Sequence, residues 1–276
     1  MIVKPPFQFR LLVCHGISDL ANFTNLQPIR LYFNVIGGII MSIEFDGLTK
    51  KSVNEFSPYM HNGIYVPRVT EIIAKCSHED SITRWANKIG LHGEEYGKVM
   101  KGYCNYGTTV HKTVEMYLKT GKIDRKCPQY PIRGFEKWWA FLKNNSDELI
   151  VKGQEFPLTC PWFGGTADLL LYIDGEYILV DFKTSNKISY KYSLQLAAYA
   201  YMLKYNNICN VDRIMVLRLS KVNDFYETFQ LKMKIKDERK YMNDCTETFL
   251  AMAYTYWMNR YVEKNYNKIR KNKRPL

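Results

Sequence analysis

GGTADLLLYIDGEYILVDFKT, running from Gly164 to Thr184, is the stretch that decides the fold. Two runs rich in Leu, Ile, Val and Tyr, Ala167 to Ile173 and Glu176 to Phe182, flank the dipeptide Asp174-Gly175. A two-residue Asp-Gly between such runs is a strong hairpin signal. With Asp174 and Gly175 as the turn, Ile173 faces Glu176, and counting outward along both strands brings Asp168 opposite Asp181. Directly opposed residues hold their Cβ atoms about 4.5–5.5 Å apart. At an effective dielectric near 20, two like charges about 5 Å apart repel by roughly 3 kcal/mol. A divalent cation is the simplest compensation. Lys183 lies two residues beyond Asp181 and so points to the same face. Leu169, Leu171, Leu179 and Val180 around these groups place them at the rim of a core. Spacing alone leaves a second reading open, in which Asp168 and Lys183 form an ordinary cross-strand ion pair and Asp181 is solvated.

Working outward, the chain before the hairpin reads as helical. Pro67, Val69 and Thr70 mark a helix start with Thr70 as N-cap. Ser81 to Ile89 and Gly107 to Leu118 follow, the latter with Val110, Val114 and Leu118 at helical spacing. Phe135, Trp138, Trp139 and Leu142 form an amphipathic stripe over Ile132 to Leu142, which reads as core rather than as a base-stacking platform. A strand is expected over Leu149 to Leu158, a helix over Tyr190 to Leu203, a strand over Arg213 to Leu219 and a long helix over Asp237 to Tyr261. Helices, then strands, a helix, a strand and a helix make a mixed α/β domain. Residues 1–40 show weak periodicity and read as a poorly structured or over-extended start ahead of Met41. The rest, 41–276, reads as one domain: a helical part over 65–145, a core over 148–220, and a C-terminal helix with a basic tail over 236–276.

Composition narrows the function classes. The 276 residues are 46% hydrophobic and 24% charged, which excludes a disordered chain and an integral membrane protein. No stretch approaches the roughly 18 apolar residues of a membrane span. A formal charge of +12 favours a polyanionic partner, a nucleic acid or an anionic membrane surface. Seven basic residues against one acid crowd Asn259 to Leu276, where the alternative is a solvated, disordered end. The 7 cysteines are scattered with no C-x-x-C pair, which points to a reducing, cytoplasmic setting and away from zinc or disulfides. A mitochondrial targeting segment is signalled only weakly by Lys4, Arg10 and Arg30.

Other residues are placed to join the acids. Glu155 lies on the preceding strand. His111 and Glu115 are four apart on one helix face, as are Gln195 and Tyr199. Either pair alone reads more simply as packing or surface.

Taken in order, Gly107-Thr108-Thr109-Val110-His111, Gly164-Gly165-Thr166-Ala167-Asp168, Asp181-Phe182-Lys183-Thr184 and Gln195-Leu196-Ala197-Ala198-Tyr199 resemble the PD-(D/E)XK nuclease superfamily. The branch they resemble is that of RecB-like exonucleases. With Tyr65 to Thr70 and Trp85 upstream, the arrangement is most similar to the mitochondrial genome maintenance exonucleases and related phage and bacterial proteins. The resemblance spans about half the chain, Tyr65 to Tyr201. It implies a restriction-endonuclease-like core, a central mixed sheet flanked by helices, with a helical subdomain before it.

It also implies roles. Asp168 and Asp181 would bind Mg²⁺ or Mn²⁺ together with His111 and the Phe182 carbonyl, with Glu155 and Glu115 as further carboxylates. Lys183 would orient the attacking water or stabilise charge on the phosphate, completing a catalytic set with the two aspartates. Gln195, Tyr199, Thr184, Arg68 and Thr70 would line the substrate side. The cysteine spacing departs from the iron–sulfur relatives, so no cluster is expected. With no G-x-x-x-x-G-K-[ST] string, no ATP is expected either, and any helicase or single-strand-binding protein would be a separate partner. The implied activity is a metal-dependent DNA exonuclease on single-stranded ends, acting as a monomer away from membranes. A structure-specific endonuclease, an RNase, or a non-catalytic nucleic-acid-binding module on the same fold are the alternatives.

Overall fold

A computed structural model describes residues 29–35, 39–45, 59–77, 80–124 and 126–272. Strands β1 (Ile29–Val35) and β2 (Ile39–Phe45) pair antiparallel, and β3 (Met60–His61) and β4 (Ile64–Tyr65) form a second small hairpin. Helices α1 (Val69–Cys76), α2 (Asp80–Leu91), α3 (Tyr96–Thr120) and α4 (Gln129–Asn144) follow. Then come β5 (Leu149–Thr159), β6 (Gly164–Ile173), β7 (Glu176–Lys183), α5 (Tyr190–Tyr205), β8 (Arg213–Leu219), β9 (Tyr226–Lys232) and α6 (Lys236–Asn272).

The hairpin forms in the expected register, paired from Ile173↔Glu176 to Leu169↔Val180. Asp174 and Gly175 both take left-handed backbone, with φ 48° and 87°, as a two-residue turn between twisted strands requires. The Asp174 side chain also ties the turn to the neighbouring strand. Its Oδ1 accepts the amides of Asp147 and Glu148 at 3.0 and 2.8 Å, pinning the start of β5 in place. β5 to β9 form one sheet in sequence order. Only β7 and β8 run parallel, because α5 carries the chain back to the starting end of the sheet.

Helices cover both faces, so the central strands are apolar on both. Leu170, Leu179, Ile214 and Val216 pack with α1, α5 and α6 through Ile72, Ala197, Met202, Phe249 and Trp257. On the other face Leu169, Leu171, Val180 and Leu217 meet α3 and α4 through Val110, Val114, Phe135 and Trp138. The aromatic stripe of α4 is thus core: Phe135 is 0% and Trp138 2% exposed. The outer strand β5 is irregular, with a register jump at Lys152 and a proline, Pro157, in its second half.

Several boundaries differ from expectation. α1 starts at Val69, directly after Arg68 as N-cap, and Thr70 lies inside the first turn rather than capping it. Val69 is fully buried, and its packing sets the helix start one residue earlier than the cap chemistry suggests. α3 begins at Tyr96, eleven residues before Gly107, because Gly97, Gly102 and Gly107 dilute its pattern without breaking the helix. The sheet continues past 220 into β9. The boundary expected at Met41 falls inside β2, while residues 1–28 lie outside the described residues. The basic tail is helical to Asn272; 273–276 lie outside the described residues.

Candidate active site

The site is built where the first strands of the sheet pass one another. Along β5 the ladder steps from Gln154↔Leu169 to Phe156↔Ala167, which leaves Glu155 across from Asp168. Glu155 has φ 45°, a left-handed conformation that costs a non-glycine residue about 1–3 kcal/mol. Asp181 is the next position in register beyond Leu169↔Val180, on the opposite side of Asp168. Adjacent strands therefore contribute a row of three carboxylates.

α3 supplies the fourth group. Val110 and Val114, 0% and 1% exposed, fix this stretch of α3 on the sheet, and His111 sits between them. Its Nδ1 lies 3.3 Å from Glu155 Oε1 and 3.4 Å from Asp168 Oδ1. Its Nε2 donates to the Phe182 carbonyl at 3.1 Å, which orients the ring. One ligand atom each from His111, Glu155 and Asp168 come within 4.8 Å of one another.

A second, drier group adjoins the first. Asp181 is 1% exposed, and Lys183 Nζ reaches its two oxygens at 2.8 and 2.7 Å. Gln195 Nε2 donates to Asp181 Oδ1 at 3.0 Å and lies 3.1 Å from the Tyr199 hydroxyl. The Lys183 ammonium also stands 5.0 Å over the Tyr192 ring. Asp168 Oδ2 accepts the amide of Phe182 at 2.7 Å. Lys183 thus pairs with Asp181 rather than Asp168, and Asp181 is buried, not solvated. The ordinary cross-strand pair left open by the spacing is not what forms.

The electrostatics follow from burial working against this network. For His111, burial opposes the charged form, but Asp168, through its charge and hydrogen bond, and Glu155 outweigh it and raise the imidazole to about 10. Burial would push Asp168 up, yet His111 and Lys183 hold it below the usual carboxylate range. For Asp181, burial and the nearby Asp168 charge prevail over Lys183 and lift it to about 6. Lys183 is buried too, but the two aspartates keep its value above that of an ordinary lysine.

These donors fit a divalent cation. Two carboxylates and an imidazole converge, and the buried Asp181 Oδ2 has Lys183 nearby but no aligned hydrogen-bond donor. Carboxylate oxygens suit hard divalent cations, and here an imidazole nitrogen joins them. The His111 Nε2–carbonyl bond is the outer contact that a ligating histidine needs to fix its tautomer.

The glycine pair has a steric reason. A Cβ on Gly165 would stand 2.5 Å from a ring carbon of Tyr199, and one on Gly164 would stand 2.7 Å from Tyr59 Cβ. At 165 it is the glycine that lets α5 approach closely enough for Gln195 to reach Asp181, while at 164 it makes room for Tyr59. Thr184 follows β7, and its Oγ1 lies 3.6 Å from where a Gly107 Cβ would be. Arg68 bridges Gly164 through its backbone and its side chain is exposed, as is that of Thr70 in α1. The structure does not bring Glu115 to the cluster. Its carboxylate is held by Lys119, one turn along α3, at 2.5 Å. Two neighbours of the site carried no sequence signal that singled them out, Tyr192 under Lys183 and Tyr59, whose hydroxyl is 2.8 Å from Thr166 Oγ1.

No protein-family model and no curated protein matches the chain. Solved structures similar to it include the following two. One is a phage related exonuclease from Haemophilus somnus 129PT, with a TM-score of 0.28 and 8% identity, covering 70% of this chain and 96% of that one. The other is SSO0001, with a TM-score of 0.29 and 10% identity, covering 74% of this chain and 83% of that one. Among the described residues no helix is long and apolar enough to cross a membrane.

Proposed function

We propose that the chain is a metal-dependent nuclease that hydrolyses phosphodiester bonds in DNA, working inward from single-stranded ends. The observation that carries this reading is the convergence of His111, Glu155 and Asp168 beside a buried Asp181–Lys183 pair. Hydrolysis of a phosphodiester needs a nucleophile at neutral pH and positive charge where negative charge accumulates. A bound Mg²⁺ or Mn²⁺ supplies both, by lowering the pKa of water and neutralising phosphate oxygens. Glu155 and Asp168 would be its carboxylate ligands, and His111 would join them on giving up the Nδ1 proton. Lys183 donates to Asp181 and carries a proton within reach of the same space, placed to orient the attacking water or to meet the phosphate. Gln195 orients Asp181 through its amide, and the Tyr199 hydroxyl steadies Gln195. The basic charge of the chain favours the polyanion. A helicase or single-strand-binding protein would act as a separate partner.

The test uses single-stranded DNA labelled at the 5′ or the 3′ end, in Mg²⁺, Mn²⁺ or EDTA, with Asp168→Asn and Asp181→Ala alongside. Metal-dependent shortening that disappears in both variants is the expected result, and the two labels give the polarity. A circular single strand left intact identifies an exonuclease, whereas its cleavage identifies an endonuclease. DNA that stays whole in both metals, with a salt-sensitive gel shift, would replace the enzyme with a binding module.

A further inference from the structure

The last third of α6 is not used by the site. Up to Trp257 the helix is packed, with Phe249, Ala253, Tyr256 and Trp257 all buried. Beyond Arg260 nearly every residue is exposed, including Tyr261, Val262, Tyr266 and Ile269. This end leaves the body from a fixed root. The Tyr256 hydroxyl donates to Glu71 of α1 at 2.8 Å, Cys76 Sγ meets the Met252 carbonyl at 3.4 Å, and the Trp257 indole donates to the Trp162 carbonyl at 2.9 Å. The Arg260 guanidinium lies 5.6 Å over the Tyr256 ring.

The charge on the projecting end is ordered. Arg260, Lys264, Lys268 and Lys271 recur at intervals of four, four and three, so they form one stripe along the helix. Successive members stand about 4.5–6 Å apart along the axis. Val262, Tyr266 and Ile269 occupy the opposite side, and Glu263 is the one acid in the segment. Such a ladder of cations suits a regular line of phosphates.

We propose that this stripe is a second nucleic-acid contact, a rigid arm that binds backbone phosphates outside the cleavage site. The inference rests on the nucleic-acid reading of the site. An anionic membrane is the other polyanion of comparable charge density, but the side opposite the stripe does not suit it. Between Arg260 and Asn272 there is no Trp, Phe or Leu, the residues that bury an interfacial helix, and Asn265, Asn267 and Asn272 interrupt the segment.

The experiment compares the full chain with Lys264→Gln/Lys268→Gln/Lys271→Gln, all at exposed positions, after circular dichroism establishes equal helix content. Affinity for a long single-stranded DNA is measured in EDTA across a salt series, and cleavage is measured separately in Mg²⁺ and Mn²⁺. Each phosphate contact contributes about 0.7–0.9 to the slope of log affinity against log salt. The triple variant is expected to lose about 2 from that slope and at least tenfold in affinity at low salt. Its cleavage rate at saturating DNA should be unchanged. An unchanged slope in a chain that still cuts DNA overturns the arm and leaves the nuclease reading intact. A reduced slope in a chain that cuts nothing supports the arm and overturns the reaction. A full chain that does not bind DNA overturns both. Loss of binding to phosphatidylserine vesicles with an unchanged DNA slope would assign the stripe to a membrane instead.

Discussion

At His111 three hydrogen-bond acceptors face the two ring nitrogens: the Phe182 carbonyl at Nε2 and the Glu155 and Asp168 carboxylates at Nδ1. Such surroundings ask for a doubly protonated ring, which is why its pKa rises from 6.5 to about 10. The direction fixes the linkage. Because the folded value is the higher one, the stabilisation from this charge is complete below about 6.5 and is lost as pH climbs through about 10. Asp181, raised from 3.8 to about 6, likewise favours the fold in its neutral form and loses that contribution as pH rises through 6. At pH 7.5 a metal ion that bound through His111 would therefore have to displace the Nδ1 proton. Calorimetric titration with Mn²⁺ in two buffers of different ionisation enthalpy should show about one proton released per ion, and affinity should strengthen up to about tenfold per pH unit between 7 and 9. Binding with no proton release would remove His111 from the ligand set. Much of this was legible at the level of residues, since the Asp-Gly turn places Asp168 and Asp181 by counting. The partner of Lys183 was not, because choosing between two nearby aspartates depends on rotamers that spacing does not encode.

Among the elements, legibility tracked how local the determining contacts are. β8 (Arg213–Leu219) reads directly from its apolar run, Ile214 to Leu217. β9, with the sequence YETFQLK, is an outer strand only partly buried and has no such run. The parallel pairing of β7 with β8 is set by the path of α5, and no local signal announces it. Glu155 comes opposite Asp168 only because of the register jump at Lys152, one residue of slip that a sequence pattern cannot locate. Glycines separate the same way. Gly165→Ala, with its Cβ 2.5 Å from Tyr199, should cost about 1–3 kcal/mol in urea unfolding and displace Gln195 from Asp181, so activity falls with stability. Gly102→Ala, inside α3 with nothing within 4 Å of the added methyl, should instead stabilise by about 0.4–1 kcal/mol. Equal effects at the two positions would mean that the close approach of α5 is not what Gly165 serves.

Over the whole molecule, one sheet holds the two cores apart and sets the carboxylates at the boundary between them, with a helix from each face completing the site: His111 from α3 and Gln195 from α5. One of the two outer strands of that sheet, β5, bears on how the molecule behaves among its own copies. An outer strand is a template on which another chain can add its own, the first step of aggregation. Two features of β5 blunt that template. The extra residue at Lys152 breaks its line, with a cation at the break, and Pro157 has no amide hydrogen to offer. Strand addition at β5 is therefore frustrated from within the strand itself, and any self-association that light scattering detects from dilute to millimolar solution should be insensitive to substitutions in β5. A mass that doubles with concentration and returns to one on replacing residues of β5 would show the opposite, that this strand is a seam rather than a border.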